Sequence, residues 1–197
     1  MSNTSHNFSV VDDTNGFNGS DDGVAYTGPI AGLEHQFIDI TPHTLSVTAD
    51  TPNSFIHAGD GTSAIDVSHV NGDNVLDGGG GSNWLVGGTG NDTFYVDDRL
   101  GGDIWSTAVH FHTNDSATFW GISPNDSTIA TFDNLGASNG LGLTFIISKP
   151  GVVEHANLTL AGFSQADIVS GRLTLAFGRT DDLPGVPGSN YMTVTAH

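Results

Sequence analysis

A glycine-rich segment near the middle of the chain places polar side chains at a regular spacing. Residues 87–95, Gly-Gly-Thr-Gly-Asn-Asp-Thr-Phe-Tyr, set Asp92 two positions before a large apolar residue. Residues 78–86 repeat this order, with Asn83 in the acidic position and Leu85 in the apolar one. Turned backbone carbonyls and a carboxylate are hard oxygen ligands, which suit Ca2+. The spacing therefore predicts calcium binding in these turns.

Less regular copies precede this pair. Residues 69–77 have Asn74 in the acidic position, and residues 58–66 have Ser63 there. A partial copy begins at Asn53, so the polar-x-apolar signature recurs at positions 53, 63, 74, 83 and 92. Adjacent copies at a near-constant period are typical of a solenoid, in which each unit stacks on an equivalent unit of the next coil.

The two halves of each copy predict a tight turn followed by a short strand. Glycine tolerates the positive backbone dihedrals of such a turn, and the central apolar side chain of the strand should point inward. With two copies per coil, the turn at 87–92 should lie on 69–74, and the turn at 78–83 on 58–63. The expected core stack is Phe55, Ile65, Leu76, Leu85 and Phe94.

The repeats resemble those of the RTX, or hemolysin-type calcium-binding, family of secreted bacterial proteins. The resemblance covers roughly residues 53–98, about a quarter of the chain. It implies a parallel β-roll, folding driven by Ca2+ outside the cell, and export by a type I secretion system. Only Asp92 matches the acidic position fully, so fewer or weaker ions are expected than in a perfect array.

The candidate ligands follow from the repeat. They are the carbonyls of Gly72, Gly79, Gly81, Gly88 and Gly90, with the side chains of Asp60, Asp73, Asn74, Asn83 and Asp92. The alternative is a roll that keeps the fold but has lost most of its ions. His110 and His112 have the spacing of a transition-metal pair on one strand face, but an exposed face with Phe111 buried is the simpler interpretation.

Composition restricts the class of protein. The net charge is −18, from 22 acidic and 4 basic residues, and only Glu34 and Glu154 of the acids are glutamate. Aspartate favours turns and loops, so the excess describes a β protein with acid-rich loops. Nucleic acid is not an expected partner, because four basic residues cannot form a basic patch. The chain has no cysteine, which excludes disulfides and thiol chemistry.

The expected location is outside the cell or at its surface. The N-terminal residues have neither a basic start nor an apolar run, so we expect no cleaved signal peptide. No segment reaches transmembrane length, so membrane insertion is not expected. Together with the repeats, this favours export without a cleaved signal peptide.

The pattern predicts an all-β chain in three parts. Residues 1–26 are expected to form an irregular arm, and residues 27–98 a short parallel β-roll. Residues 99–197 contain β-type runs separated by turn residues, which predict a β-rich, sandwich-like capping domain. One brief helix is expected at 165–170, with Ser164 as its N-cap and Gly171 at its end.

Two other functions compete with a non-enzymatic calcium-binding role. Trp84 and Tyr95 occupy outward positions on the roll, with Trp105 and Trp120 close in sequence. An exposed aromatic surface beside polar side chains predicts a carbohydrate-binding or adhesion module, with extracellular polysaccharide as the partner and calcium structural or bridging. An enzyme that uses the roll for export is the third hypothesis, although the sequence contains no recognisable catalytic motif.

Overall fold

The computed structural model describes residues 6–97, 99, 102–125, 127–136, 142–151, 155–182 and 187–197. Within these ranges the chain is almost entirely β-structure, with one short helix, α1 (Gln165–Ser170). The strands are β1 (Phe8–Asp12), β2 (Phe17–Asp21), β3 (Val24–Ala25), β4 (His35–Asp39), β5 (Leu45–Ala49), β6 (Ser54–Ala58), β7 (Ala64–Asp66), β8 (Val75–Asp77), β9 (Trp84–Val86), β10 (Thr93–Asp97), β11 (Ile104–Val109), β12 (Ser116–Trp120), β13 (Thr128–Asp133), β14 (Gly142–Ser148), β15 (His155–Ala161), β16 (Leu173–Arg179) and β17 (Asn190–Ala196).

Two sheets face each other across one core. The first sheet has the order β13-β14-β15-β11-β9-β7-β5-β1-β2, and the second β16-β17-β12-β10-β8-β6-β4-β3. From β4 to β12, successive strands alternate between the sheets and pair in parallel with the strand two positions earlier. The predicted parallel β-roll is therefore confirmed, as a solenoid of about four coils.

The inward side chains stack as the repeat predicts, with one exception. Ile65, Leu76, Leu85 and Phe94 are fully buried. The prediction of Phe55 in this stack is wrong, because Ile56 pairs in register with Leu76 and is itself fully buried. The shift arises because Ser54 takes the polar position and its N–H donates to Asn74 Oδ1, while Asn53 lies in the turn with a positive φ of 58°.

The N-terminal residues differ from the expected irregular arm. β1 pairs antiparallel with β5 and with β2, and β3 pairs with β4. Phe8 and Val10 of β1 are buried in the core. Their period-two alternation is a strand signal, although it is embedded in a polar, Gly/Asn/Asp-rich stretch. Residues 1–5 of the predicted arm lie outside the described residues.

The C-terminal strands extend the same two sheets. β11 and β15 continue the first sheet in parallel, and β14 and β13 then add to it antiparallel. In the second sheet β17 and β16 add antiparallel beyond β12. Their apolar side chains share one core with the roll, from Phe8 to Ala196. Because the described residues form no further sheet, a sandwich-like cap separate from the roll is not confirmed.

The predicted helix is present between β15 and β16. The Ser164 N–H donates to the Asp167 carboxylate at 2.8 Å, and Gly171 ends the helix in the left-handed conformation at φ 81°. Among the described residues, no helix has both the length and the apolar character that a bilayer crossing requires.

Candidate functional site

The turns of the roll stack directly on one another, in the predicted pairs. A Cβ atom added to Gly90 would lie 2.0 Å from the Gly72 carbonyl oxygen. One added to Gly81 would lie 1.9 Å from the Gly61 carbonyl oxygen. No real Cβ tolerates such distances, so backbone stacking alone requires glycine at these positions, independently of any ion.

The polar position of each repeat faces inward at the edge of the roll, where its side chain joins successive coils. Two series result, one along each edge. The neutral ladder consists of Ser63, Asn83 and Ser106, and the acidic ladder consists of Ser54, Asn74, Asp92 and Asp115. All seven residues are buried.

In the neutral ladder each backbone N–H donates to the side chain of the next coil. The Ser63 N–H donates to Asn83 Oδ1 at 2.8 Å, and the Asn83 N–H donates to Ser106 Oγ at 3.3 Å. The ladder begins with the Leu45 N–H, which donates to Ser63 Oγ at 3.2 Å. Inward polar groups are thus paired within the protein, as burial requires.

The acidic ladder uses the same geometry. The Ser54 N–H donates to Asn74 Oδ1 at 3.1 Å, and the Asn74 N–H donates to Asp92 Oδ1 at 3.0 Å. The Asp92 N–H then donates to Asp115 Oδ1 at 2.8 Å. The last two side chains are therefore buried carboxylates on adjacent coils.

The asparagine turns are closed by their own amide groups. Asn83 Nδ2 donates to the carbonyl oxygens of Gly78 and Gly81, at 2.9 and 2.7 Å. Asn74 Nδ2 donates to the Gly72 carbonyl oxygen at 3.0 Å. In these two turns, at 69–74 and 78–83, the glycine carbonyls are therefore paired with an amide N–H of the same turn.

The turn at 87–92 differs because its polar residue is a carboxylate. Asp92 Oδ2 accepts from the Gly88 N–H at 2.6 Å, and Oδ1 also accepts from Asn74 Nδ2 at 2.9 Å. Asp115 Oδ2 accepts from the His112 N–H at 2.8 Å. Burial raises the pKa of Asp115 to about 6, and the charge of Asp92 adds to the rise. The donors that face Asp115 therefore lower its pKa by less than burial and the Asp92 charge raise it.

The His112 imidazole lies beside two backbone carbonyl groups near this end of the ladder. Its Nε2 is 3.1 Å from the Gly88 carbonyl oxygen, and its Nδ1 is 3.1 Å from that of Thr113. Burial lowers the pKa of His112, but these carbonyl contacts and the Asp115 charge raise it above its ordinary value overall. Both nitrogens face acceptors, which only the protonated ring can satisfy. A positive group is thus favoured at this position.

The histidine pair does not share a strand face. His110 follows β11 with φ 56°, and its Nδ1 is 3.3 Å from the Gly87 carbonyl oxygen. His112 lies in the following loop. Phe111 between them is buried, as expected, and its ring contacts Phe94 at 5.4 Å between centroids.

The other candidate ligands are dispersed. Asp73 is exposed and accepts from the Asn91 N–H at 2.9 Å, while Asp60 is exposed in a turn of the other edge. The Gly79 N–H donates to Asp77 Oδ1 at 3.0 Å. Nowhere in the described ranges do three His, Asp or Glu side chains converge so that they could share a metal ion. A cation at the acidic ladder would therefore need backbone carbonyls among its ligands.

The repeat pattern does not predict the last rung of each ladder. Ser106 and Asp115 each stand two positions before an alanine, which pairs with Leu85 or Phe94 of the preceding coil. The polar-x-apolar signature therefore continues, with alanine in place of a large side chain. Longer connections separate these rungs from 83 and 92, which obscures the period.

Comparison with known proteins finds no matching family model, no matching curated protein and no matching solved structure. The resemblance to RTX repeats thus rests on residues 53–98 and on the roll that they form.

Proposed function

We propose that this chain is a calcium-binding β-roll protein in which the end of the acidic ladder, rather than every turn, takes up the ion. The observation that carries this proposal is the pair of buried carboxylates, Asp92 and Asp115, on adjacent coils. Buried carboxylates are costly unless they are paired with positive charge or coordinate a metal. The net charge of −18 adds to the demand for cations.

The residues at this position fit a hard cation. The available oxygens are the carboxylates of Asp92 and Asp115 and the carbonyls of Gly88 and Thr113. The His112 side chain now contacts those carbonyls and is 39% exposed, so it can turn outward to solvent. Bound there, Ca2+ would neutralise both carboxylates and link two coils through the oxygen ligands that it prefers.

The acidic excess supports a role outside the cell. Unneutralised like charge opposes compaction, and extracellular calcium modules bind with dissociation constants of about 10⁻⁴–10⁻³ M. A chain with such a site would be least stable where calcium is scarce and most stable after export. Secretion, with a type I system as the exporter, is therefore part of the proposal.

Thermal melts followed by circular dichroism, with calcium or with EGTA, test the proposal. At 10 mM calcium and the affinity above, the free energy of unfolding should rise by about 1–3 kcal/mol. Asp115→Asn and Asp92→Asn should each abolish this rise. Asp60→Asn, at an exposed aspartate of the other edge, is the matched control and should retain it.

A melt that calcium leaves unchanged in the unaltered protein would overturn the proposal. The same holds if Asp60→Asn removes the calcium effect while Asp115→Asn keeps it, because the ion would then lie at the other edge. Isothermal titration calorimetry with Ca2+ alone gives the number of sites, for which we expect one.

A further inference from the structure

A groove of about 540 Å³ crosses the outer face of the first sheet. Trp84 and Trp105 line it together with the hydroxyl side chains of Ser46 and Thr62 and the carboxylate of Asp13. Ser46, Ala64 and Trp84 pair in register across β5, β7 and β9 and form its floor. The lining also includes Ser63 and Asn83 of the neutral ladder, but no residue of the acidic ladder.

Trp84 is the most unusual residue of this face. Its side chain is 47% exposed, and among the described residues it makes no hydrogen bond and no ring contact. Trp120 on the second sheet is packed instead, with ring centroids 5.6 Å from Tyr95 and 5.4 Å from Tyr191. Large aromatic side chains are usually buried or engaged at interfaces, so Trp84 is the tryptophan whose ring is open to a ligand.

Trp105 is fixed on the same face. Its indole Nε1–H donates to Thr159 Oγ1 at 3.0 Å, and that hydroxyl lies 2.9 Å from Thr144 Oγ1. The Trp105 backbone N–H donates to Ser82 Oγ at 2.9 Å. A ring held by such contacts loses little conformational freedom when a ligand stacks on it, which favours binding.

The polar rim of the groove has unused hydrogen-bonding capacity. Ser46, Thr62 and Asp13 are exposed, and their side-chain oxygens make no hydrogen bond within the described part of the chain. Hydroxyl groups both donate and accept, and a carboxylate accepts. The lining includes no Lys or Arg, so an anionic ligand would meet the charge of Asp13 and of the acidic chain without compensation.

We propose that this groove binds a neutral oligosaccharide. A pyranose ring has an apolar C–H face that can lie on an indole, and a rim of hydroxyls that can pair with Ser46, Thr62 and Asp13. Two tryptophans beside one groove favour a ligand of more than one sugar unit. This inference does not depend on calcium, because the groove and the acidic ladder share no residue.

Titration of the full chain with neutral hexasaccharides tests the inference. The probes are the β-linked glucose, xylose and mannose hexamers and the α-linked glucose hexamer, followed by tryptophan fluorescence and calorimetry in EGTA and again in calcium. We expect at least one to bind, and Trp84→Ala to weaken that binding by about tenfold or more. Trp84→Phe should recover part of the loss, because it restores an aromatic face.

Phe132→Ala is the matched control, because Phe132 lies on the same sheet and is likewise 47% exposed. It should leave affinity unchanged, and melts should show that both variants remain folded. Failure of every neutral hexamer to bind would overturn the inference, as would equal losses in Trp84→Ala and Phe132→Ala. Tighter binding of an alginate hexamer than of any neutral probe, or a dimer of the chain that Trp84→Ala dissociates, would also overturn it.

Discussion

The two ladders share one geometry and differ in charge. Both run along an edge of the roll, and both join coils by a backbone N–H that donates to the side chain of the next coil. The neutral ladder ends in the hydroxyl of Ser106, whereas the acidic ladder ends in the carboxylates of Asp92 and Asp115. Hydrogen bonds therefore join successive coils along both edges. Only the acidic ladder supplies an electrostatic reason for a cation.

The largest expected effect concerns the close stacking of the glycine turns, which occurs at both edges of the roll. Gly90→Ala and Gly81→Ala each place a methyl group within 2.0 Å of a backbone carbonyl of the preceding coil. Each should lower the free energy of unfolding by about 3 kcal/mol or more, since backbone cannot yield as a side chain does. Urea unfolding measures the loss. Gly32→Ala, where a methyl would meet no atom, should cost only about 1 kcal/mol through its positive φ.

A second pair of variants tests whether the asparagine side chains contribute equally to stability at the two edges of the roll. Asn83→Ala and Asn74→Ala each remove three hydrogen bonds and leave a buried N–H or carbonyl without a partner. Each should cost about 2–4 kcal/mol in urea unfolding. Asn91→Ala, at an exposed position of the same roll, is the control. If Asn83→Ala left the free energy of unfolding unchanged, the neutral ladder would not stabilise the coils.

His112→Ala tests whether the imidazole competes with a cation at the end of the acidic ladder. If the imidazole competes with a cation for the carbonyls of Gly88 and Thr113, its removal should strengthen calcium binding by about 1 kcal/mol, or roughly fivefold. Without calcium the same variant should be less stable than the unaltered protein, because Asp115 loses its positive neighbour. Calorimetry and melts in EGTA measure the two changes. Weaker calcium binding would instead make His112 a ligand.

The smallest expected effect lies outside both ladders. His57 Nδ1 is 2.9 Å from the Asp77 carboxylate on the adjacent coil, and this hydrogen bond raises the pKa of His57. The resulting stability is fully present below the unfolded-state pKa of His57, about 6.5, and is lost as pH rises through the higher folded-state pKa. The pair should contribute less than about 1 kcal/mol. Melts from pH 6 to 9 should show a decline that His57→Gln flattens.

The sequence predicts the roll well because its signals are local. Glycine turns and an apolar residue at fixed spacing predict the stacked turns and the inward Ile65, Leu76, Leu85 and Phe94. The roles of Asn74 and Asn83 could not be predicted this way. Whether an amide accepts from a neighbouring coil or faces a cation depends on contacts between residues that are 18 to 23 positions apart.

The errors have equally specific causes. Asn53 and Ser54 are both polar, so spacing alone does not show which one takes the turn, and the register of β6 shifts by one. Asp115 lies 23 residues after Asp92, beyond the regular period, and is followed by alanine rather than a large apolar residue. In residues 8–25 the polar composition masks the alternation that forms β1.

The ladder bonds have a direction, so each coil depends on an acceptor from the coil that follows it. Every rung donates from an earlier residue to a later one, from Leu45 to Ser106 and from Ser54 to Asp115. A chain that ends before residue 106 would leave the buried N–H groups of Asn83 and Asp92 without their acceptors. The last two rungs of the roll therefore form only when residues 106 and 115 are available.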